Sequence, residues 1–100
     1  MSTSTDSAGV VHPYVTRDVA IQGGRPVIIG TRFPISSIVQ NHRRGLSAEE
    51  ILREFPQLTP AQVYDALSYY YDHLEEIDRE IAQQRDIEAA IKQHPPTKRP

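Results

Sequence analysis

The sequence predicts a mainly helical fold: a three-helix helix-turn-helix unit carrying a short N-terminal β-hairpin and a long C-terminal helix. Three observations point to it. Ser47-Ala48-Glu49-Glu50 and Thr59-Pro60-Ala61-Gln62 are both capping boxes, in which a hydroxyl takes an early helix amide and the Glu or Gln reaches back to the cap. Between Ala61 and His94 there is neither proline nor glycine, so nothing local stops a helix begun at Pro60. Upstream, Gly23-Gly24 separates two short runs rich in Val and Ile, the pattern of two strands around a turn. One hundred residues make a single domain, and with 38% hydrophobic and 24% charged residues its core is expected to be small and completed by a partner.

Residues 1–10 are mostly Ser, Thr, Asp, Ala and Gly, too polar to bury, and read as a disordered leader. The domain proper is expected over 11–73. Its hairpin takes Val15, Val19 and Ile21 on one strand and Val27, Ile28 and Ile29 on the other, with Pro26 at a strand start where its missing N–H does no harm. An isolated hairpin is marginal in water, so this one needs a helix, or a second copy of the chain, to lie on.

Helix one is expected over about Ile35–Arg44, with Ile35, Ile38, Val39 and His42 on one face and Gly45 stopping it at positive φ. Helix two starts at Ala48 with Leu46 stapled onto Ile51, and ends by Phe55 because Pro56 disfavours helical geometry before it. Helix three starts at Pro60, Leu58 stapling to Val63. It is expected to run unbroken to His94, before Pro95-Pro96. Some 34 residues would span roughly 50 Å, about twice the width of so small a domain. Its apolar residues Val63, Leu67, Tyr70, Leu74, Ile77 and Ile81 alternate spacings of four and three, a coiled-coil seam interrupted at Gln84. Val63 to Tyr70 can pack on helices one and two. Ile77, Ile81, Ile87 and Ile91 are left without cover, and with Leu74 they are the expected partner-binding residues of an extension over 74–94. The alternative is a helix that bends back at Gln83-Gln84.

The absence of cysteine excludes disulfides and cysteine-ligated metals. The four histidines are scattered, and neither a metal site nor a cofactor is expected. Serines sit in the leader and at helix caps, no phosphate-loop context surrounds the glycines, and the acids of helix three have basic helical neighbours. A non-enzyme follows. No run approaches a membrane span and the N-terminus lacks the pattern of a signal peptide, so a soluble, cytoplasmic protein is expected. Charge is unevenly placed. Five arginines face two acids up to Gly45, eleven acids face three arginines from Leu46 to Ile91, and a basic tail over 95–100 carries Lys98 and Arg99.

The run from Gly24 to Ile35, Gly-Arg-Pro-Val-Ile-Ile-Gly-Thr-Arg-Phe-Pro-Ile, followed by Gly45-Leu46-Ser47-Ala48-Glu49-Glu50-Ile51-Leu52 and Phe55-Pro56-Gln57-Leu58-Thr59, resembles family four-three-three of the domains of unknown function. The resemblance covers about Asp18 to Tyr71. It implies a homeodomain-like helix-turn-helix, and a likeness to VapB-type antitoxins encoded beside PIN-domain ribonuclease toxins. The implied function is an antitoxin that sequesters a PIN-domain toxin and represses its own operon by binding operator DNA; the uncovered hairpin edge and helix seam separately lead to the expectation of a homodimer. The alternative is a protein-only adaptor or dimeric scaffold.

A PIN nuclease site is a carboxylate cluster, which the basic Lys98 and Arg99 would complement while the overhanging helix supplies the apolar anchor. For DNA, the recognition helix offers Gln62 and Tyr64 but no Arg or Lys. Phosphate contacts are therefore expected from Arg25, Arg32, Arg43 and Arg44. For Arg25 and Arg32 a structural ion pair or turn cap competes with that role, and for Arg43 and Arg44 so does the dipole of helix one.

Overall fold

The computed structural model describes residues 12–93; the expected leader and the basic tail with Lys98 and Arg99 lie outside them. Two strands, β1 (Val15–Thr16) and β2 (Val27–Ile28), precede four helices, α1 (Ile35–Arg43), α2 (Ala48–Glu54), α3 (Pro60–Asp72) and α4 (Leu74–Gln93). The strands pair antiparallel, Val15 opposite Ile28 and Thr16 opposite Val27. The pairing is shorter than the apolar run predicts, and Val19 is 86% exposed. The reason is local. Asp18 accepts the Ala20 amide through its side chain at 2.9 Å and bridges to Ile21, turning the chain out of the ladder two residues after β1. The return passes through Gln22, Gly23 and Gly24, all at positive φ. Gly24 (φ +91) would bring a Cβ against Val19 as well as into a disfavoured backbone region.

β2 is fully buried, and the Pro26 carbonyl beside it accepts the Ile35 amide at 3.0 Å, so the hairpin leads directly into α1. Ile35, Ile38 and Val39 of α1 are buried as the spacing predicts. Gly45 (φ +94) follows its end. Both capping boxes are formed: Ser47 with Glu50 opens α2, and Thr59 with Gln62 opens α3, where Pro60 holds the first helical position. Replacing Ser47 or Thr59 with Ala should each cost about 0.5–2 kcal/mol, read as a lower urea midpoint with unchanged slope.

The C-terminal half departs from expectation. There is no continuous helix from Ala61 to His94. The chain breaks at His73 (φ −137, ψ 46), whose amide is taken by the Tyr70 carbonyl, and α4 begins anew with Glu75 and Glu76 in its first turn, where acids suit the positive helix end. His73 stacks on Tyr69, ring centroids 4.2 Å apart. Neither proline nor glycine forces the break; packing does. By turning there, α4 lays Ile77 (0% exposed) and Ile81 (2%) into the core formed by α1, α2, α3 and β2. The expectation that Ile77 and Ile81 lack cover within their own chain is therefore corrected. Burying two isoleucines, at about 1.5–3 kcal/mol each, outweighs the helical hydrogen bonds lost at one residue. α4 is continuous through Gln83-Gln84, so the bend occurs ten residues before the alternative position.

Candidate functional site

Two surfaces carry the candidate residues: the arginine-bearing flank and the far half of α4. The arginines are mostly engaged. Arg25 donates to Gln22 Oε1 at 2.8 Å and approaches Glu80 Oε2 at 3.5 Å. Arg43 pairs with Asp78 at 3.3 Å, an oxygen that also accepts the Tyr70 hydroxyl at 2.9 Å. Arg44 donates to Asn41 Oδ1 at 2.9 Å. Arg32 is exposed, and its side chain has no partner among the described residues. For Arg25 and Arg43 the structural ion pair is what the geometry displays.

The recognition helix is occupied too. Gln62 Oε1 accepts the Thr59 amide at 2.8 Å, and Asp65 accepts the Tyr14 amide at 2.8 Å. Tyr64, 56% exposed, is left as the large free side chain of α3. The six DNA candidates do not converge. Arg32 and Gln62 share a hollow of about 450 Å³ with Phe33, Pro34 and Leu58, Arg43 and Arg44 end α1, and Arg25 faces α4.

Sequence reasoning missed how the N-terminal segment is anchored. His12 lies against Asp72 (Nε2 to Oδ2, 2.9 Å) and Asp65 (Nδ1 to Oδ1, 3.5 Å), and Arg17 binds Glu76 and the Tyr69 hydroxyl. Separations of 52 to 60 residues leave no local signal for these contacts.

Glu80 is the one buried acid of α4, 9% exposed. Burial pushes its carboxyl above the usual carboxylate range, and the Ser36 side chain and the Arg25 charge oppose the shift without cancelling it. Glu50 moves the other way, held low chiefly by its bond to the Ser47 backbone amide. Linkage fixes the signs. The raised group contributes stability that is complete below the ordinary carboxylate value and is lost as pH rises through its raised value. The lowered group contributes stability present above the ordinary value and lost as pH falls through its lowered one. Glu80→Gln should flatten the profile on the acid side of neutrality while leaving the steeper acid loss, as read by urea unfolding across a pH series; an unaltered profile would count against a protonating Glu80.

The far half of α4 presents the second surface. Glu80, Gln84, Ile87 and Ile91 fall on one side of the helix at spacings of four and three, so the stripe that faces the core at Glu80 and Ile81 continues past the domain. Ile87 is 53% and Ile91 50% exposed. From Asp86 to Gln93, past the side chains that line hollows with the body of the domain, the overhang is roughly 12 Å long. Leu74, 43% exposed, starts α4 and lies apart from these two. Among the described residues no three His, Cys, Asp or Glu side chains gather as a metal site, and no helix is long and apolar enough to cross a membrane.

A family model described as "Protein of unknown function (DUF433)" matches residues 15–70, more than half of the sequence. The chain belongs to the DUF433 family. The matched DUF433 region takes in the hairpin, α1, α2 and most of α3, and stops before α4. A crystal structure of a DUF433 member protein from Anabaena variabilis is similar, with a TM-score of 0.63 and 33% identity, covering 69% of this chain and 68% of that one. No curated protein matches the chain.

Proposed function

We propose that the chain is a cytoplasmic antitoxin without catalytic activity, which neutralises a PIN-domain ribonuclease by docking the far half of α4 into a groove on that toxin. The observation that carries this is the continuation of the core-facing stripe into exposed Ile87 and Ile91. A helix that keeps an apolar side where its own domain no longer reaches is built to be covered by another protein. The resemblance to VapB-type antitoxins supplies the class of partner. Lys98 and Arg99 would then approach the carboxylates of the nuclease. Self-association loses Ile77 and Ile81 as an argument, since their own domain covers them.

The test is the double variant Ile87→Asp, Ile91→Asp, assayed with the nuclease encoded beside it. Both sites are exposed, so the melting temperature should hold while binding weakens by roughly two orders of magnitude or more, because the new charges would be desolvated in the complex. Full inhibition by this variant would move the interface elsewhere.

Operon repression belongs to the same proposal, with Arg32 and Arg44 as the arginines among the DNA candidates that lack a carboxylate partner among the described residues. The second reading, a protein-only adaptor, is favoured by the ion pairs of Arg25 and Arg43 and by the engagement of Gln62 and Asp65 on α3. Titrating the upstream duplex, with and without the nuclease, separates the two: salt-sensitive binding supports repression, and its absence in both supports the adaptor.

A further inference from the structure

The last turn of α1 carries Arg43 and Arg44, and α4 crosses it with Ile81 and, one turn further, Arg85. Together with Gln40 these side chains line a hollow of about 180 Å³. No acid lines it. Asp78, the carboxylate that pairs with Arg43, is shared with the Tyr70 hydroxyl. Arg44 meets only the neutral Asn41 amide oxygen, and Arg85 has no side-chain partner among the described residues.

Each guanidinium carries five N–H donors. Arg43 and Arg44 each spend one on a described side-chain bond, so most of the donors are unspent. Three like charges around one hollow repel one another unless an anion enters. The negative end of α1 opposes an anion there, but amounts to only about half an elementary charge against the guanidiniums of Arg44 and Arg85, which pair with no acid among the described residues, and that of Arg43, which Asp78 offsets in part. Donors arriving from three separate planes match an anion with oxygens on several sides, a phosphate, better than a flat two-oxygen carboxylate.

We propose that the hollow between the end of α1 and the middle of α4 binds a phosphate group, held by Arg43, Arg44 and Arg85 above an Ile81 floor. The site needs no toxin and none of the exposed isoleucines of α4; of the residues assigned above to operon repression it shares Arg44 alone, so loss of phosphate binding and loss of toxin binding are separable. If the phosphate belongs to a nucleic-acid backbone, that backbone runs along α1 and α4 rather than along α3.

The full chain is titrated with inorganic phosphate, and separately with a short duplex DNA of arbitrary sequence, while amide and guanidinium resonances are followed by NMR. Wild type, Arg44→Gln with Arg85→Gln, and Asp78→Asn are compared. Both arginines are exposed, so the double variant should keep its melting temperature. Phosphate should shift Gln40, Arg43, Arg44 and Arg85 saturably, and the double variant should bind roughly tenfold or more weakly. Asp78→Asn, which frees Arg43 yet can still accept the Tyr70 hydroxyl, should bind severalfold more tightly. Duplex binding that falls with the same double variant assigns the phosphate to nucleic acid; phosphate binding without duplex binding assigns it to a free phosphate or a small phosphorylated molecule. No saturable phosphate shift, or equal affinity in wild type and double variant, overturns the proposal.

Discussion

A chain ended after Asp72 should fail to fold, whereas one ended after Gln83 should melt close to the full-length protein and no longer bind the nuclease. The first truncation removes Ile77 and Ile81, which are 0% and 2% exposed. It also removes Glu76, Asp78 and Glu80, the partners of Arg17, Arg43 and Arg25. Loss of a buried large aliphatic side chain costs about 2–5 kcal/mol. Two such losses approach the whole stability of a small domain, about 5–15 kcal/mol. The second truncation keeps Ile77, Glu80 and Ile81, the buried residues of α4, and among the described residues removes half-buried Gln84 and the exposed turns from Arg85 to Lys92, with Ile87 and Ile91 in them. Circular dichroism on both shortened chains decides the matter. A folded, cooperative Asp72 product would show that α4 merely rests on a self-sufficient three-helix unit.

Ile77→Asp should unfold the protein at neutral pH, and Ile87→Asp, ten residues along the same helix, should leave its melting temperature nearly unchanged. At position 77 the carboxylate would enter the core among α1, α3 and α4 with no cation to meet it, at a cost of several kcal/mol beyond the lost packing. At position 87 it would face water. Thermal melts of the two variants test the burial pattern directly. Similar destabilisation of both would mean that the overhang is covered by its own chain.

Local chemistry accounts for what the sequence made legible. Ser47 with Glu50 and Thr59 with Gln62 each act within one helical turn, so the starts of α2 and α3 were readable, as was the stop at Gly45. The end of the first strand was not, because Asp18 competes for the backbone through its own side chain, an effect that apolar alternation does not register. The break at His73 was hidden for a different reason. The four-and-three spacing from Val63 to Ile81 suits an unbroken helix as well as two helices folded onto one core, and tertiary burial chose the second. For the candidate site, residue type pointed to Arg25, Arg32, Arg43 and Arg44, but their partners lie on α4 or beside them in space. In sequence Glu80 and Asp78 sit in an acidic run with Arg79 and Arg85 as helical neighbours, the pattern of a solvated surface, although Glu80 is buried and pairs with Arg25, and Asp78 pairs with Arg43. The exposed end of α4 was legible at Ile87 and Ile91, since a helix of this length outruns so small a domain.

Arg17, Arg25 and Arg43 lie before residue 45, while Glu76, Glu80 and Asp78, which they meet, lie within the first two turns of α4. Three of the five arginines of the first 45 residues are thus matched in space by acids from the other half of the sequence. It follows that these positions cannot drift independently during evolution. A relative that gives up the acid at the position of Asp78 should tend to give up the arginine at the position of Arg43, and likewise for Glu80 with Arg25 and Glu76 with Arg17. Inheritance of α4 and of the N-terminal half is tied together in three places, so grafting the helix of one relative onto the body of another should succeed only where all three charge pairs are carried across together.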